Sequence, residues 1–264
     1  MKMFFACGRG DLKMLEESQA DCVLESFFYK KGEAPPKWPA YYFLDSGGFT
    51  ARQQNAFVDV EKYAQYINIH DIKYCFNLDT NNVPETLANQ RYLEASVSAV
   101  VIPIYHYSDY MSKKYRGILT EMVEKSELIG LGGVANSGVG KPNIRKMYDY
   151  VFNKTQDKVK VHGLGITAQD ILMEYPLYSV DSSTWAYGSR MGQMMRFREG
   201  KSKYSHNKTT RNTLKNRGKT STMFDAYNLV AAAPHRNKLN ISETMKMVGY
   251  LTDLWTARGV VWDD

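Results

Sequence analysis

Apolar residues in this chain gather in eight short, β-rich runs near positions 2–6, 21–25, 41–45, 73–78, 99–105, 128–132, 159–164 and 178–181. Between most of these runs the apolar positions change to helical spacing, over 59–69, 85–98, 110–126, 142–154 and 168–175. Strands alternating with helices predict right-handed βαβ crossovers and a parallel sheet, and eight such units close a barrel. The expected fold class is therefore α/β, a (β/α)8 TIM-like barrel formed by a single domain over residues 1–264. The first two units are less regular, and Ala34–Pro39 reads as a loop. A terminal helix is expected to start near Asn240–Ser242 with Glu243 in its first turn. Met245, Val248, Leu251, Leu254 and Trp255 would be its packed stripe.

A chain of 264 residues, 44% of them apolar, can bury one large core. The net charge of +6 changes the picture because it is concentrated: from Arg196 to Lys219 there are nine Lys or Arg against one acid, Glu199. Such a stretch tracks a polyanion through phosphate contacts, or else is a solvated loop. We read residues 196–222 as a basic insertion that binds nucleic acid through Arg196, Arg198, Lys201, Lys203, Lys208 and Arg211, with Arg190 just before it as a further contact. The three cysteines, Cys7, Cys22 and Cys75, stand far apart, the last two inside expected strands, which fits reduced thiols. The opening MKMFFACGRGD is too short in apolar residues for a signal peptide, and no stretch approaches the ~18 of a membrane span. A soluble cytoplasmic protein without a membrane partner is expected.

Four segments place a small or acidic signature at the end of an apolar run: YYFLDSGGF (41–49), CFNLDT (75–80), LIGLGGV (128–134) and YSVDSSTW (178–185). In a parallel barrel the strand ends of one rim carry the chemistry, so these residues would share a site. Asp45, Asp79 and Asp181 supply three carboxylates. Gly47 and Gly48, like Gly132 and Gly133, strip the backbone so that a flat heterocycle can approach its N–H groups. Two carboxylates on one rim suffice for displacement at a sugar carbon, one as nucleophile and one moving the proton. Taken singly, each motif is more often turn chemistry, and only their joint placement argues for a site. Gly138–Lys141 has the wrong glycine spacing for a phosphate loop, and Pro142 stands where Ser or Thr is needed. No His or Cys pair has metal-ligand spacing. His162, at a strand end beside Gly163, reads as pocket lining or as packing. His70, His206 and His235 stand singly in polar surroundings.

In this order the segments resemble the tRNA-guanine transglycosylase (queuine tRNA-ribosyltransferase) superfamily, whose members are TIM barrels. Its Asp-Ser-Gly-Gly-Phe segment matches Asp45–Phe49, its base-recognising aspartate matches Asp79 in Leu78-Asp79-Thr80, and its Gly-Gly loop matches Gly132-Gly133-Val134. Its Gly-rich segment resembles His162–Gly165, and its nucleophilic aspartate falls at Asp181. The Cys-x-Cys-x-x-Cys plus His zinc site of the tRNA enzymes is missing, so no zinc of that kind and no other cofactor is expected. Ile102–His106 occupies the place of a Val-Gln-Gly motif, which puts His106 where a base-contacting glutamine would stand. With its shorter length, the chain looks closest to the phage and bacterial 7-deazaguanine DNA transglycosylases, which implies a viral source and a host-cytoplasm setting.

That resemblance implies exchange of guanine in DNA for a 7-deazaguanine base of the preQ0 type, the base being a co-substrate. Asp181 would be the nucleophile and Asp45 the proton carrier. Asp79, His106, Gly132, Gly133, Ser46 and Gly47 would bind the purine, with Phe49 or Tyr105 stacked on it. The DNA partner would present a flipped or single-stranded guanine, since a paired base is out of reach. Three readings compete with it: the same exchange on tRNA, a catalytically idle barrel that binds nucleic acid, and a barrel glycoside hydrolase using Asp45 and Asp181.

Overall fold

Alternate residues of a strand face opposite sides of its sheet, and here both sides are apolar, the mark of a parallel sheet covered on both faces. The computed structural model describes residues 1–30, 32–134, 138–155, 158–190, 193–197, 205–208 and 233–262. Nine parallel strands form one sheet: β1 (Lys2–Cys7), β2 (Cys22–Ser26), β3 (Tyr41–Asp45), β4 (Tyr74–Phe76), β5 (Val100–Ile102), β6 (Ile104–His106), β7 (Leu128–Gly132), β8 (Lys160–Gly163) and β9 (Ser179–Ser182). Their order is β5-β4-β3-β2-β1-β9-β8-β7-β6. The two ends of that order, β5 and β6, are separated in sequence only by Pro103, so the sheet is a nearly closed, TIM-like barrel. Proline has no N–H to give the ladder, which divides the run expected over 99–105. The Pro103 carbonyl still accepts the Gly130 N–H at 2.8 Å.

Inward residues fill the barrel: Phe4, Leu24, Phe43, Phe76, Ile102, Ile104 and Leu128 form one cluster, with the Phe4 and Phe43 rings stacked 3.8 Å apart. Outward residues of the same strands meet the helices. Val23, Ile129, Leu131, Val161 and Val180 pack with Ile144, Met147, Val151, Leu172 and Leu251, and Leu44, Cys75 and Val101 pack with Tyr63, Ile67 and Leu93.

The helices in chain order are α1 (Leu12–Glu17), α2 (Gly48–Gln53), α3 (Val60–Ile69), α4 (Val83–Ser96), α5 (Tyr107–Met111), α6 (Ile118–Lys125), α7 (Lys141–Thr155), α8 (Gln169–Glu174), α9 (Thr184–Arg190) and α10 (Ala233–Ala257). Local chemistry sets their starts. Asp59 caps α3 by accepting the Glu61 and Lys62 N–H groups at 2.9 and 3.2 Å, and Asn82 caps α4 through the Glu85 N–H at 3.3 Å, with Pro84 in the first turn. The single helix expected over 110–126 is two helices, because Ser112 turns the chain by accepting the Tyr115 N–H at 3.3 Å.

The last helix also departs from expectation: it begins at Ala233, seven residues before Asn240. Its buried face runs through Ile241, Thr244, Met247, Leu251 and Trp255, whereas Met245 is exposed. Asn240 explains the rotation, since its amide accepts the Met195 N–H at 2.7 Å and donates to the Trp185 carbonyl at 2.9 Å. Met195 belongs to β10 (Gln193–Arg196), which pairs antiparallel with β11 (Ser205–Lys208) as a separate two-stranded ladder.

Candidate active site

The motifs found in sequence stand together at the carboxyl ends of the barrel strands. Asp45 ends β3, Asp79 follows β4, His106 ends β6, Gly132 ends β7, and Asp181 lies in β9. Strand register aligns Asp45 with Ser26 and His106 with Gly132.

The turn after β3 is built by its glycines. Gly47 has φ +78°, and a Cβ there would come within 2.4 Å of both Ser26 Oγ and Phe28 Cβ. A Cβ on Gly48 would lie 2.8 Å from the Asp79 carbonyl. The room at these two positions is thus taken by neighbouring chain, which brings the ends of β3 and β4 together. The Gly47 N–H donates to Asp45 Oδ2 at 2.9 Å, and the buried Ser46 hydroxyl accepts the Gly48 N–H at 3.4 Å. Gly47→Ala is expected to combine a left-handed backbone strain with a clash and to cost at least about 2 kcal/mol of stability. A urea titration reads the loss, and an unchanged midpoint would contradict this account of the turn.

Gly132 and Gly133 do the same for His106. A Cβ on Gly132 would meet the His106 ring at 3.0 Å, and Gly133, at φ +76°, lies against the Tyr107 N–H. His106 Nε2 stands 3.1 Å from Asp79 Oδ2, close but not aligned as a hydrogen bond. Contacts of this kind tighten when a ligand completes a site. Arg52, from α2, holds Asp79 from the other side: Nη1 donates to its carbonyl at 2.5 Å and Nη2 to Oδ2 at 3.5 Å. A cleft of about 670 Å³ opens beside that pair, lined by Arg52, Phe57, Asp79, Asn81 and Glu85 among others.

These surroundings push the carboxylates apart in acidity. For Asp79, burial alone would raise the pKa, but the His106 imidazole and the Arg52 guanidinium outweigh it and hold the group below the usual range. Asp45 is raised to about 7, first by burial and then by the negative charge of Asp79, with Asp181 adding to it and the Gly47 N–H opposing. One carboxyl is thereby poised to give and take protons near neutrality while its neighbour stays charged.

Asp181 has a partner that the motifs did not reveal. Its Oδ1 lies 3.1 Å from His162 Nε2 and accepts the Gly165 N–H at 3.0 Å, while His162 Nδ1 is 2.8 Å from Ser179 Oγ. His162 is completely buried, its ring centred 5.1–5.9 Å from those of Phe76, Phe43 and Phe4. The two roles left open for His162 are thus joined: it packs in the barrel and it touches the carboxylate. The signal available in sequence was the spacing from the ends of β8 and β9, which needs their register before it can be used.

The remaining candidates are placed as follows. Phe49 is 56% exposed on the first turn of α2. Tyr105 faces the helix layer, fully buried, with its hydroxyl donated to the Arg116 carbonyl at 3.1 Å, so it is removed as a stacking partner on the rim. Arg190 is exposed at the end of α9. Arg196 ends β10 and Lys208 ends β11. Arg198, Lys201, Lys203 and Arg211 lie outside the described residues, as does most of the insertion expected over 196–222. Among the described residues, no group of three or more His, Cys, Asp or Glu is placed to hold a metal ion, and no helix is long and apolar enough to cross a membrane. Cys7, Cys22 and Cys75 are free thiols.

The chain matches no protein-family model and no curated protein sequence.

Proposed function

We propose that this protein is a transglycosylase that exchanges guanine in DNA for a 7-deazaguanine base through a covalent aspartyl-glycosyl intermediate. The observation that carries the reading is the convergence on one rim of two carboxyls with different environments: Asp45, raised to about 7, and Asp181, held among the described residues through Oδ1. The nearly closed parallel barrel is compatible with the TIM-like fold of the transglycosylases that the motifs resemble.

In the first step Asp181 attacks C1′ of the nucleotide. The C1′–N9 bond breaks with its electron pair passing to the purine, and Asp45 supplies the proton that neutralises the departing guanine. In the second, the incoming base gives its N9 proton to Asp45, its nitrogen attacks C1′, and the C1′–O bond returns its pair to Asp181. Two inversions retain the β-configuration, and both carboxyls end as they began. Asp79 accepts from the purine's N–H edge, a role that suits a carboxylate kept ionised, and His106 and the Gly132–Gly133 backbone complete the base contacts. The target guanine reaches the rim flipped or single-stranded. Arg190 and the basic stretch from Arg196 onward hold phosphates.

The test is incubation with guanine-containing DNA and, separately, with guanosine-34 tRNA, each with labelled guanine or preQ0, followed by nucleoside mass spectrometry. Label in DNA alone is expected. Label in tRNA would transfer the reading to the RNA substrate, and binding of DNA without label would favour an idle barrel.

A further inference from the structure

Oδ1 of Asp181 accepts the Gly165 N–H and lies 3.1 Å from His162 Nε2, and among the described residues no hydrogen bond reaches Oδ2. A carboxylate that is ionised only accepts, so the nitrogen facing it, His162 Nε2, must carry the ring proton. In a neutral imidazole Nδ1 is then an acceptor, and its partner, the Ser179 hydroxyl at 2.8 Å, must donate. The register fixes this chain of bonds: β8 and β9 pair His162 directly with Ser179, and Asp181 follows two residues later on the same face of β9. Among the described residues the imidazole's hydrogen-bond partners are Ser179 and Asp181, and the Phe4, Phe43 and Phe76 rings pack around it.

We infer that His162 is the positioning residue of the nucleophile and that Ser179 sets its tautomer, so that Asp181 Oδ1 is tethered and Oδ2 is the atom presented to C1′. The inference rests on the exchange reading above and adds to it which oxygen attacks and what aims it. The tether also serves the second step. When Oδ2 is esterified, Oδ1 becomes the ester carbonyl oxygen and keeps both N–H donors. They favour the negative charge that returns to the carboxylate as the C1′–O bond breaks. His162 is completely buried among aromatic rings, so it positions Asp181 and does not itself react.

Two measurements test this on the full chain. The first is kinetic. His162→Phe fills the ring's volume but donates nothing, and is expected to lower kcat for exchange about 10–100-fold with KM for DNA within about twofold, while His162→Gln, whose Nε2 can still reach Asp181, recovers most of the rate. Thermal melting accompanies both variants. Wild-type kcat in His162→Phe, or equal loss in both variants, would overturn the assignment. The second needs no activity: long-range ¹⁵N–¹H correlation of the five histidines, with His162 assigned by its absence in His162→Gln. The expected spectrum shows the Nε2–H tautomer in the native chain and its loss or mixing in Ser179→Ala, and an Nδ1–H tautomer would overturn the inference whatever the activity. A native chain that shows the Nε2–H tautomer but exchanges no base would instead overturn the exchange reading and leave the tethering of Asp181 standing.

Discussion

Asp181→Asn is expected to abolish base exchange, with a loss of at least about 10⁴-fold, and to leave no covalent glycosyl adduct on the protein. The choice of asparagine matters. Its Oδ1 can keep the bonds from His162 Nε2 and the Gly165 N–H, which reach the native carboxylate at 3.1 and 3.0 Å. What is lost is the charge and the nucleophilic second oxygen. Stability and affinity for DNA should therefore stay near the native values while the chemistry stops. Asp181→Ala would be less clean, because the buried His162 Nε2 would be left without a partner at about 1–3 kcal/mol. Intact-protein mass spectrometry after incubation with DNA, alone and with labelled base, reads the adduct and the exchange together. Asp181→Asn exchanging within about tenfold of the native rate would remove Asp181 from the nucleophile's role.

Much of this site was legible before the fold was known, for a physical reason. Strands of a covered parallel barrel are short apolar runs, so their ends are visible, and polar or glycine residues just past those ends must lie on the rim. Asp45, Asp79, Gly132 and Asp181 were found in that way, and all four lie in the last residues of a strand or just past it in the structure. Contacts that depend on register or on a following helix were not visible. His162 meets Asp181 only because β8 and β9 pair His162 with Ser179, and Arg52 meets Asp79 only because the glycines after Asp45 let α2 approach β4. The role given to those glycines in sequence was to clear space for a ligand. The structure fills the space at Gly47 and Gly48 with Ser26, Phe28 and the Asp79 carbonyl.

The terminal helix shows a different limit. Pro234 marks its true start, since proline fits a first helical turn. The apolar spacing from Met245 onward hid that start, because the buried face ahead of it carries polar Asn237, Asn240 and Thr244, the last two bonded inside to Trp185, Met195 and the helix backbone. A periodicity read from apolar residues alone rotates the helix when polar groups are buried and paired.

The second large effect is expected at Asp45, where catalysis and stability should move in opposite directions. Burial and the charge of Asp79 raise this carboxyl from its ordinary 3.8 to about 7. Below pH 3.8 both the folded and unfolded chains hold the proton, and the group's contribution to stability is complete. Between 3.8 and about 7 the unfolded chain gives up the proton while the folded chain retains it, so stability falls as pH rises, reaching a deficit of about 4 kcal/mol at most. Asp45 keeps partial access to solvent, which reduces the deficit to roughly 2–3 kcal/mol by screening. Asp45→Asn cannot ionise, and its amide oxygen can still accept the Gly47 N–H. It is therefore expected to equal the native chain in stability near pH 4 and to exceed it by about 2–3 kcal/mol at pH 8. The same change removes the proton carrier, so exchange should fall about 10²–10³-fold and lose the limb of its pH profile centred near 7. Urea titrations of both chains at pH 4, 6 and 8, beside exchange rates over that range, measure the two effects. Parallel stability curves for the two chains would show that Asp45 is already ionised throughout. A carboxyl that weakens the fold at the pH where it works is maintained for its chemistry, and the variant that gains stability there while losing exchange identifies that use.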